Sequence, residues 1–187
     1  TNSAGTATSA TATIATCVQV TVASAPAARS VVAGQAASFS VTPAGTGPFA
    51  YQWMKNGVNI AGATSSTYDV AAASSADVGT YSVKVTGPVG TVTSVGATLS
   101  VLGFTTNLPA TTTTLVAGAS KVLAVAATGV PAPTYQWRKN GVNIAGATLA
   151  SYTALAGTAE GTNTYDVVIT NSAGTATSAT ATIATCV

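Results

Sequence analysis

The two cysteines are the side chains of this 187-residue sequence best suited to covalent chemistry. Cys17 and Cys186 occupy the same position of an exact internal repeat. The alternation of side chains along a strand predicts that Ile14 and Thr16 point inward and that Cys17 points outward. Two roles stay open for this thiol: a buried or capped thiol where two modules meet, or a disulfide to another chain, which an odd cysteine in an extracellular protein indicates.

The other reactive side chains do not form a recognisable catalytic or metal-binding set. The sequence has no histidine, so it lacks the usual general base and the commonest metal ligand. Asp77 and Tyr81 are close in sequence, and we interpret them as a structural pair. Lys84 or Lys121 could form an isopeptide bond with an asparagine, but no motif supports one and we expect solvated lysines. We therefore predict no catalytic residue, no metal site and no cofactor.

The composition excludes several classes of partner. Only 5% of the residues are charged and the net charge is +2, which is too weak and scattered for nucleic-acid binding. No run of 18 apolar residues exists, so the sequence predicts no membrane span. A surface with so little charge repels its own copies weakly, which favours self-association. Threonine-rich stretches such as Thr111–Thr114 are compatible with a secreted protein.

Two levels of internal repetition organise the chain. Residues Thr1–Val18 are identical to Thr170–Val187, which indicates a window from a longer tandem array with a period of 169 residues. Within that period, Tyr51–Thr64 and Tyr135–Thr148 differ at one position. The repeating unit is therefore expected to contain two homologous modules of about 85 residues each, near the lower end of normal domain size.

The pattern within each module predicts short antiparallel strands. Apolar residues alternate with polar or small ones at Val95, Ala97, Leu99 and Val101, and earlier at Phe39 and Val41, and at Leu123 and Val125. Asn56-Gly57 and Asn140-Gly141 predict type I′ hairpin turns, because asparagine and glycine tolerate the two positive φ angles. About seven such strands per module suit a sandwich of two sheets.

Three groups of residues resemble immunoglobulin-like domains of the I-set type, as found in tandem on bacterial surface and extracellular proteins. They are the strand C stretches Trp53-x-Lys55-Asn56-Gly57 and Trp137-x-Lys139-Asn140-Gly141, the tyrosine corner Asp77-x-Gly79-x-Tyr81, and the strand G ending Ala97-x-Leu99-x-Val101. The resemblance implies an all-β fold of two tandem immunoglobulin-like sandwiches. We expect residues 19–102 and 103–187 to form the two domains and residues 1–18 to be strand G of a preceding repeat.

The sequence departs from this family at the disulfide between strands B and F. The matching positions hold four valines, which we expect to pack in the cores beside Trp53 and Trp137: Val41, Val83, Val125 and Val167. The second module also lacks the aspartate of the tyrosine corner. Gly161 and Asn163 stand in place of Asp77 and Gly79, while Tyr165 remains. Because asparagine tolerates positive φ, we expect the bend to persist there.

The leading functional hypothesis is a structural repeat unit of an extracellular filament, fibre or giant surface protein that spans distance and associates with copies of itself. One alternative is an adhesin stalk or ligand-binding module, for which glycans are candidate partners, although no aromatic platform is evident. Another is an accessory module of a secreted enzyme. Two architectures also stay open: units joined by peptide bonds, or separate subunits that exchange strands.

Overall fold

The computed structural model describes residues 5, 6, 8 and 16–187, and these residues form an all-β protein. The strands of the first module are β1 (Thr21–Ser24), β2 (Arg29–Val32), β3 (Ala37–Ser40), β4 (Thr42–Ala44), β5 (Ala50–Lys55), β6 (Val58–Asn59), β7 (Thr67–Val70), β8 (Gly79–Gly87) and β9 (Gly90–Thr93). A one-turn 3-10 helix, Ser75–Asp77, precedes β8.

The next strand, β10 (Ala97–Thr106), reaches from the first module into the second. The remaining strands are β11 (Thr112–Val116), β12 (Ser120–Ala124), β13 (Ala126–Thr128), β14 (Thr134–Lys139), β15 (Val142–Asn143), β16 (Ser151–Leu155), β17 (Gly161–Asn171), β18 (Gly174–Thr177) and β19 (Ala181–Cys186). Among the described residues, no helix is long and apolar enough to cross a membrane.

Each module consists of a large sheet and a smaller set of paired strands around its own core. In the first module the order of the large sheet is β2-β10-β8-β5-β6, with β9 on β8, and the smaller pairs are β3-β7 and β1-β4. In the second module the large sheet is β11-β19-β17-β14-β15, with β18 on β17, and the smaller pair is β12-β16. In both modules the first strand of the large sheet is parallel to its neighbour.

The two tryptophans lie at the centres of the two cores. Trp53 and Trp137 have 0% exposed surface, and their indole N–H groups donate to the main-chain oxygens of Ser65 and Leu149, at 2.9 and 2.8 Å. The residues expected to surround them are also buried: Val41, Val83, Val125, Val167, Tyr81 and Tyr165. Four valines thus occupy the region where the immunoglobulin family places a disulfide.

The two Asn-Gly pairs form the hairpin turns that the sequence predicts. Asn56 and Gly57 have φ of 51° and 80°, and Asn140 and Gly141 have φ of 50° and 79°. The two positive φ angles of a type I′ turn are therefore present in both modules. The side-chain oxygen of Asn56 also accepts a hydrogen bond from Thr80 N–H of β8. That of Asn140 accepts one from Thr164 N–H of β17.

The expected inward position of Val95 is wrong, because Val95 is 70% exposed and Ser94 is buried in its place. The Ser94 hydroxyl accepts a hydrogen bond from Val83 N–H and donates one to the carbonyl of Val95, at 3.1 and 2.9 Å. Ser178 makes the same two bonds in the second module. In both modules the serine hydroxyl accepts a hydrogen bond from a buried main-chain N–H, which must have an acceptor. The serine therefore points inward, and the alternation of inward and outward side chains is interrupted just before β10 and β19 begin.

The tyrosine-corner bend of the second module was expected to depend on a positive φ at Asn163, and this positive φ is absent. Among the described residues, Asn56 and Asn140 are the only non-glycine residues with positive φ, so Asn163 is not bent in this way. Instead, β17 begins at Gly161 and pairs with β19 from Gly161 to Tyr165. Asn163 is an ordinary strand residue because its backbone joins this longer ladder.

The predicted division at residues 102 and 103 coincides with the middle of β10. Leu102 pairs with Val32 of the first module, and Gly103 pairs with Thr128 of the second module. The two modules are thus connected by a continuous strand. The prediction that residues 1–18 form strand G of a preceding repeat falls largely outside the described residues. Of the described ones, Thr16 was expected to point inward, but it is exposed and lies in no strand.

Candidate functional site

Both cysteines are free and exposed, so the expectation of a buried thiol is wrong. Cys186 is the last residue of β19, and Cys17 precedes β1. Thr185 is buried and Cys186 is exposed, as alternation along the strand requires. The structure therefore presents each thiol on a surface, and a disulfide to another chain stays a proposal.

Asp77 and Tyr81 meet through the backbone rather than through their side chains. The Tyr81 hydroxyl donates to the main-chain oxygen of Asp77 at 2.7 Å. The Asp77 carboxylate instead accepts from the hydroxyl and N–H of Ser74, at 2.7 and 2.9 Å, and these bonds lower the pKa of Asp77. The carboxylate closes a turn and the phenol fixes the start of β8, so their geometry is that of a structural corner.

The other candidate side chains are not brought together into a reactive set. Lys84 and Lys121 are exposed. Among the described residues, no group of three or more His, Cys, Asp or Glu side chains could hold a metal ion. Tyr51 and Tyr135 are half-buried and pack against their cores.

Two hydrogen bonds join the modules where they meet. The Val130 N–H donates to the Ser100 hydroxyl at 2.9 Å, and the Ser30 hydroxyl donates to the Val130 carbonyl at 3.2 Å. Ser30 and Ser100 face each other across β2 and β10 of the first module. Together they hold both polar groups of one residue of the second module, and we call this arrangement the serine clamp.

Close packing surrounds the serine clamp. Leu102 is completely buried, and a Cβ atom added to Gly129 would lie 3.1 Å from its Cδ1 and 2.7 Å from Asn171 Nδ2. That Asn171 amide donates to the Pro131 carbonyl at 2.8 Å and so joins two loops of the second module. On the other side of the junction, a Cβ added to Gly174 would lie 3.0 Å from Val32 Cγ2. Two loops of the second module therefore fit closely against the end of the first.

A mostly apolar cleft of about 480 Å³ lies beside the clamp. Val78 and Leu99 of the first module and Val130 of the second contribute to its walls. Neither the cleft nor the clamp is predicted by the sequence pattern. The clamp joins Ser30 to a residue 100 positions later in the sequence, and isolated serines on a strand give no signal of such a partner.

Comparison with known proteins identifies the architecture. No family model matches the chain. It aligns with an I-band fragment of titin with a TM-score of 0.56 and 16% identity, over 92% of this chain and 66% of that one. It aligns with immunoglobulin domains 1–5 of Sidekick-1 with a TM-score of 0.53 and 18% identity, over 91% of this chain and 38% of that one. The chain has the fold of tandem immunoglobulin-like domains.

A sequence relationship covers a smaller part of the chain. A decoration protein of Escherichia phage T5 is 44% identical to it over 61 residues. These residues are 32% of this chain and 37% of the phage protein. The chain thus spans well under half the length of this relative. The likeness to solved immunoglobulin-like tandems, in contrast, covers nearly all residues of the present chain.

Tyr81 and Tyr165 offer a matched test of a hydrogen bond that, among the described residues, Tyr81 makes and Tyr165 does not. Tyr81→Phe removes the bond to Asp77 and should lower the free energy of unfolding of the first module by about 0.5–1.5 kcal/mol. Tyr165→Phe is the control, because no side-chain hydrogen bond of Tyr165 is present among the described residues. Urea denaturation of both variants measures the difference, and equal losses would contradict this assignment.

The same tyrosine should also make the first module sensitive to alkali. Burial, followed by the nearby Tyr68 and Asp77, raises the pKa of Tyr81 to about 12 from an ordinary value of 10. A group whose pKa is raised by folding stabilises the folded state fully below its unfolded pKa. The contribution of Tyr81 to the free energy of unfolding is therefore lost as the pH rises from 10 to about 12. Tyr81→Phe should weaken the pH dependence of the free energy of unfolding over this range.

Proposed function

We propose that the chain is a structural repeat unit of an extracellular filament, fibre or giant surface protein of bacterial type. Its role is to span distance as a row of immunoglobulin-like modules and to associate with copies of itself. It has no catalytic role in this proposal. The cysteine that recurs once in each unit is an exposed thiol, and we propose that it links neighbouring chains.

The observation that carries the proposal is the junction between the modules. Leu102 ends the pairing of β10 with the first module, and Gly103 begins its pairing with the second, so no free linker separates the two. The serine clamp and the close fit of Gly129 then fix the second module against the first. Modules joined end to end in this way have little freedom to move relative to each other. Their combined length is therefore well defined, as a distance-spanning protein requires.

Two further observations support an array of such units. Thr1–Val18 has the same sequence as Thr170–Val187. The segment that ends the unit therefore also precedes its first module, as it would where one unit follows another. The surface has few charges to keep copies apart. We favour peptide-linked units over strand exchange, because exchange leaves one displaced strand at each junction with an unpaired edge. Two sandwiches placed end to end give an expected axial repeat of about 70–80 Å.

The decisive experiment is the mass of the intact polypeptide from its native source under denaturing conditions, with and without a thiol reductant. We expect a polypeptide much larger than the 18.0 kDa of this chain in the presence of reductant, and a further increase in mass without it. A reduced band near 18 kDa, with protease inhibitors present throughout, would contradict peptide-linked units. Identical patterns with and without reductant would contradict the role of the cysteines.

The likeness to a phage decoration protein favours a second candidate function. In this alternative, each chain is separate, and another region of the chain binds the surface of a larger particle. The immunoglobulin-like modules then project from that surface. The same mass measurement distinguishes the two functions, because a decorating chain would be short after reduction and would co-purify with particles rather than with filaments.

A further inference from the structure

The ends of the two modules can be compared position by position. Leu102 pairs with Val32, and its carbonyl accepts from Ala33 N–H at 2.8 Å. Cys186 pairs with Val116, and its carbonyl accepts from the next N–H, that of Ala117, at 3.0 Å. Leu102 and Cys186 therefore occupy the same place in their modules. Cys17 is the sequence copy of Cys186 and marks the same place at the end of a preceding unit.

The starts of the two modules can be compared in the same way. Gly103 pairs with Thr128, the last residue of β13. Thr21 pairs with Ala44, the last residue of the matching strand β4. Within the unit, the first module ends and the second begins at adjacent residues. Between units, the corresponding positions are Cys17 and Thr21, and three additional residues separate them: Val18, Gln19 and Val20.

These three residues are held by the module that follows them. The Val18 carbonyl accepts from Thr46 N–H at 3.0 Å, and Val18 N–H donates to the Thr46 hydroxyl at 2.8 Å. Val20 is buried in the first core. A Cβ atom added to Gly45 would lie 2.5 Å from the Gln19 carbonyl oxygen. The segment therefore lies along its module ahead of β1, and its three residues span about 10 Å when extended.

The groups that form the serine clamp are missing or occupied at this second junction. The positions that match Ser30 and Ser100 are paired across β11 and β19 as Thr114 and Ala184, so one hydroxyl is absent. The residue that matches Val130 is Thr46, whose N–H already donates to Val18. The clamp therefore cannot form on Thr46 as it does on Val130, even if the two modules at this junction were as close as the two modules within the unit.

We infer that the array contains two kinds of junction in alternation. A locked junction within each unit is formed by the shared strand β10 and the serine clamp. An extended junction between units is lengthened by Val18–Val20 and has no clamp. Bending of the array is therefore concentrated at every second junction, and the stiff element is the two-module unit. This inference rests on the proposed tandem array.

The locked junction is tested in the 187-residue chain by inserting Val-Gln-Val between Leu102 and Gly103. Residual dipolar couplings of the parent chain should fit one alignment tensor for both modules. The insertion should abolish this common tensor, and small-angle X-ray scattering should show a maximum dimension longer by up to about 10 Å. One shared tensor in the insertion variant would overturn the inference that linker length sets the rigidity.

The clamp is tested separately by Ser30→Ala combined with Ser100→Ala. This variant should also lose the common alignment tensor while each module keeps its own fold and couplings. The matched control is Ser38→Ala with Ser40→Ala, which removes two exposed hydroxyls from β3 of the same module. A clamp variant whose modules still share one tensor would overturn the role given to the two serines.

The alternation itself is tested in a two-unit chain in which a second copy of residues 19–187 follows Val187. Modules one and two should share one tensor, modules three and four another, and the two tensors should differ. A single tensor for all four modules would overturn the inference. This outcome is independent of the mass measurement: short native chains would contradict the array but would leave the locked junction within the unit intact.

Discussion

Replacing Trp137 by alanine is expected to lower the free energy of unfolding of the second module by about 3–5 kcal/mol. The indole is completely buried, its N–H donates to the Leu149 carbonyl, and its ring lies 5.8 Å from that of Tyr152. Truncation therefore removes a large apolar surface and leaves the Leu149 carbonyl without this donor. With no disulfide in this core, the module has no covalent cross-link to offset the loss.

The chain provides its own reporter for this experiment, because it has only two tryptophans, one in each module. In the Trp137→Ala variant, tryptophan fluorescence follows the first module, while circular dichroism follows both. We expect the fluorescence transition to stay close to that of the parent and a second transition to appear at lower denaturant. Arg138→Met is a neighbouring control, since Met54 occupies this position in the first module. Superimposable unfolding curves for Trp137→Ala and the parent would contradict a core role.

Replacing Ser178 by alanine is expected to cost about 1–3 kcal/mol, although it removes a single oxygen atom. The hydroxyl accepts from the buried N–H of Val167 at 3.0 Å and donates to the Ala179 carbonyl at 2.8 Å. Alanine fills nearly the same space but leaves this N–H without an acceptor. An unsatisfied buried donor costs more than the loss of an average hydrogen bond, because it has also lost its water.

Urea denaturation of Ser178→Ala measures the loss, and amide exchange at Val167 shows whether it is local. We expect faster exchange at Val167 and an equivalent effect of Ser94→Ala at Val83 in the first module. Ser151→Ala, at an exposed position of β16, is the matched control and should change stability by less than about 0.5 kcal/mol. Equal effects of Ser178→Ala and Ser151→Ala would show that the hydroxyl is not needed for the irregular start of β19.

Local sequence signals predicted much of the fold correctly. Asn56-Gly57 and Asn140-Gly141 gave the correct turn positions because only a few residue types tolerate two successive positive φ angles. Leu99 and Val101 alternated correctly because a strand buried on one face repeats every two residues. The same rule failed at Val95, where Ser94 takes the inward position to serve a buried N–H. The need for that hydroxyl arises on the neighbouring strand, eleven residues away, and not in the local pattern.

The difference between Met54 and Arg138 shows the same limit inside the repeated stretch. Arg138 pairs across the sheet with Asp166 and makes a bidentate contact with it at 2.7 Å. Met54 pairs with Ser82. The sequence shows that one residue differs between the two copies, and only the register of the sheet shows that its partner changes with it. Both side chains of the ion pair are half-buried. They lie on two strands that are paired in both modules, so this exchange changes one cross-strand contact without changing the fold.

By itself, the sequence determined the repeat, the all-β class, the turns and most of the inward-facing residues, because each depends on neighbouring residues or on identity between copies. Only the tertiary structure decided how the modules are joined. The serine clamp unites Ser30, Ser100 and Val130 across distances of up to 100 residues in sequence. The shared strand depends on Leu102 and Gly103 pairing with different modules. Such contacts exist only after both sandwiches have folded and met, so no local periodicity encodes them.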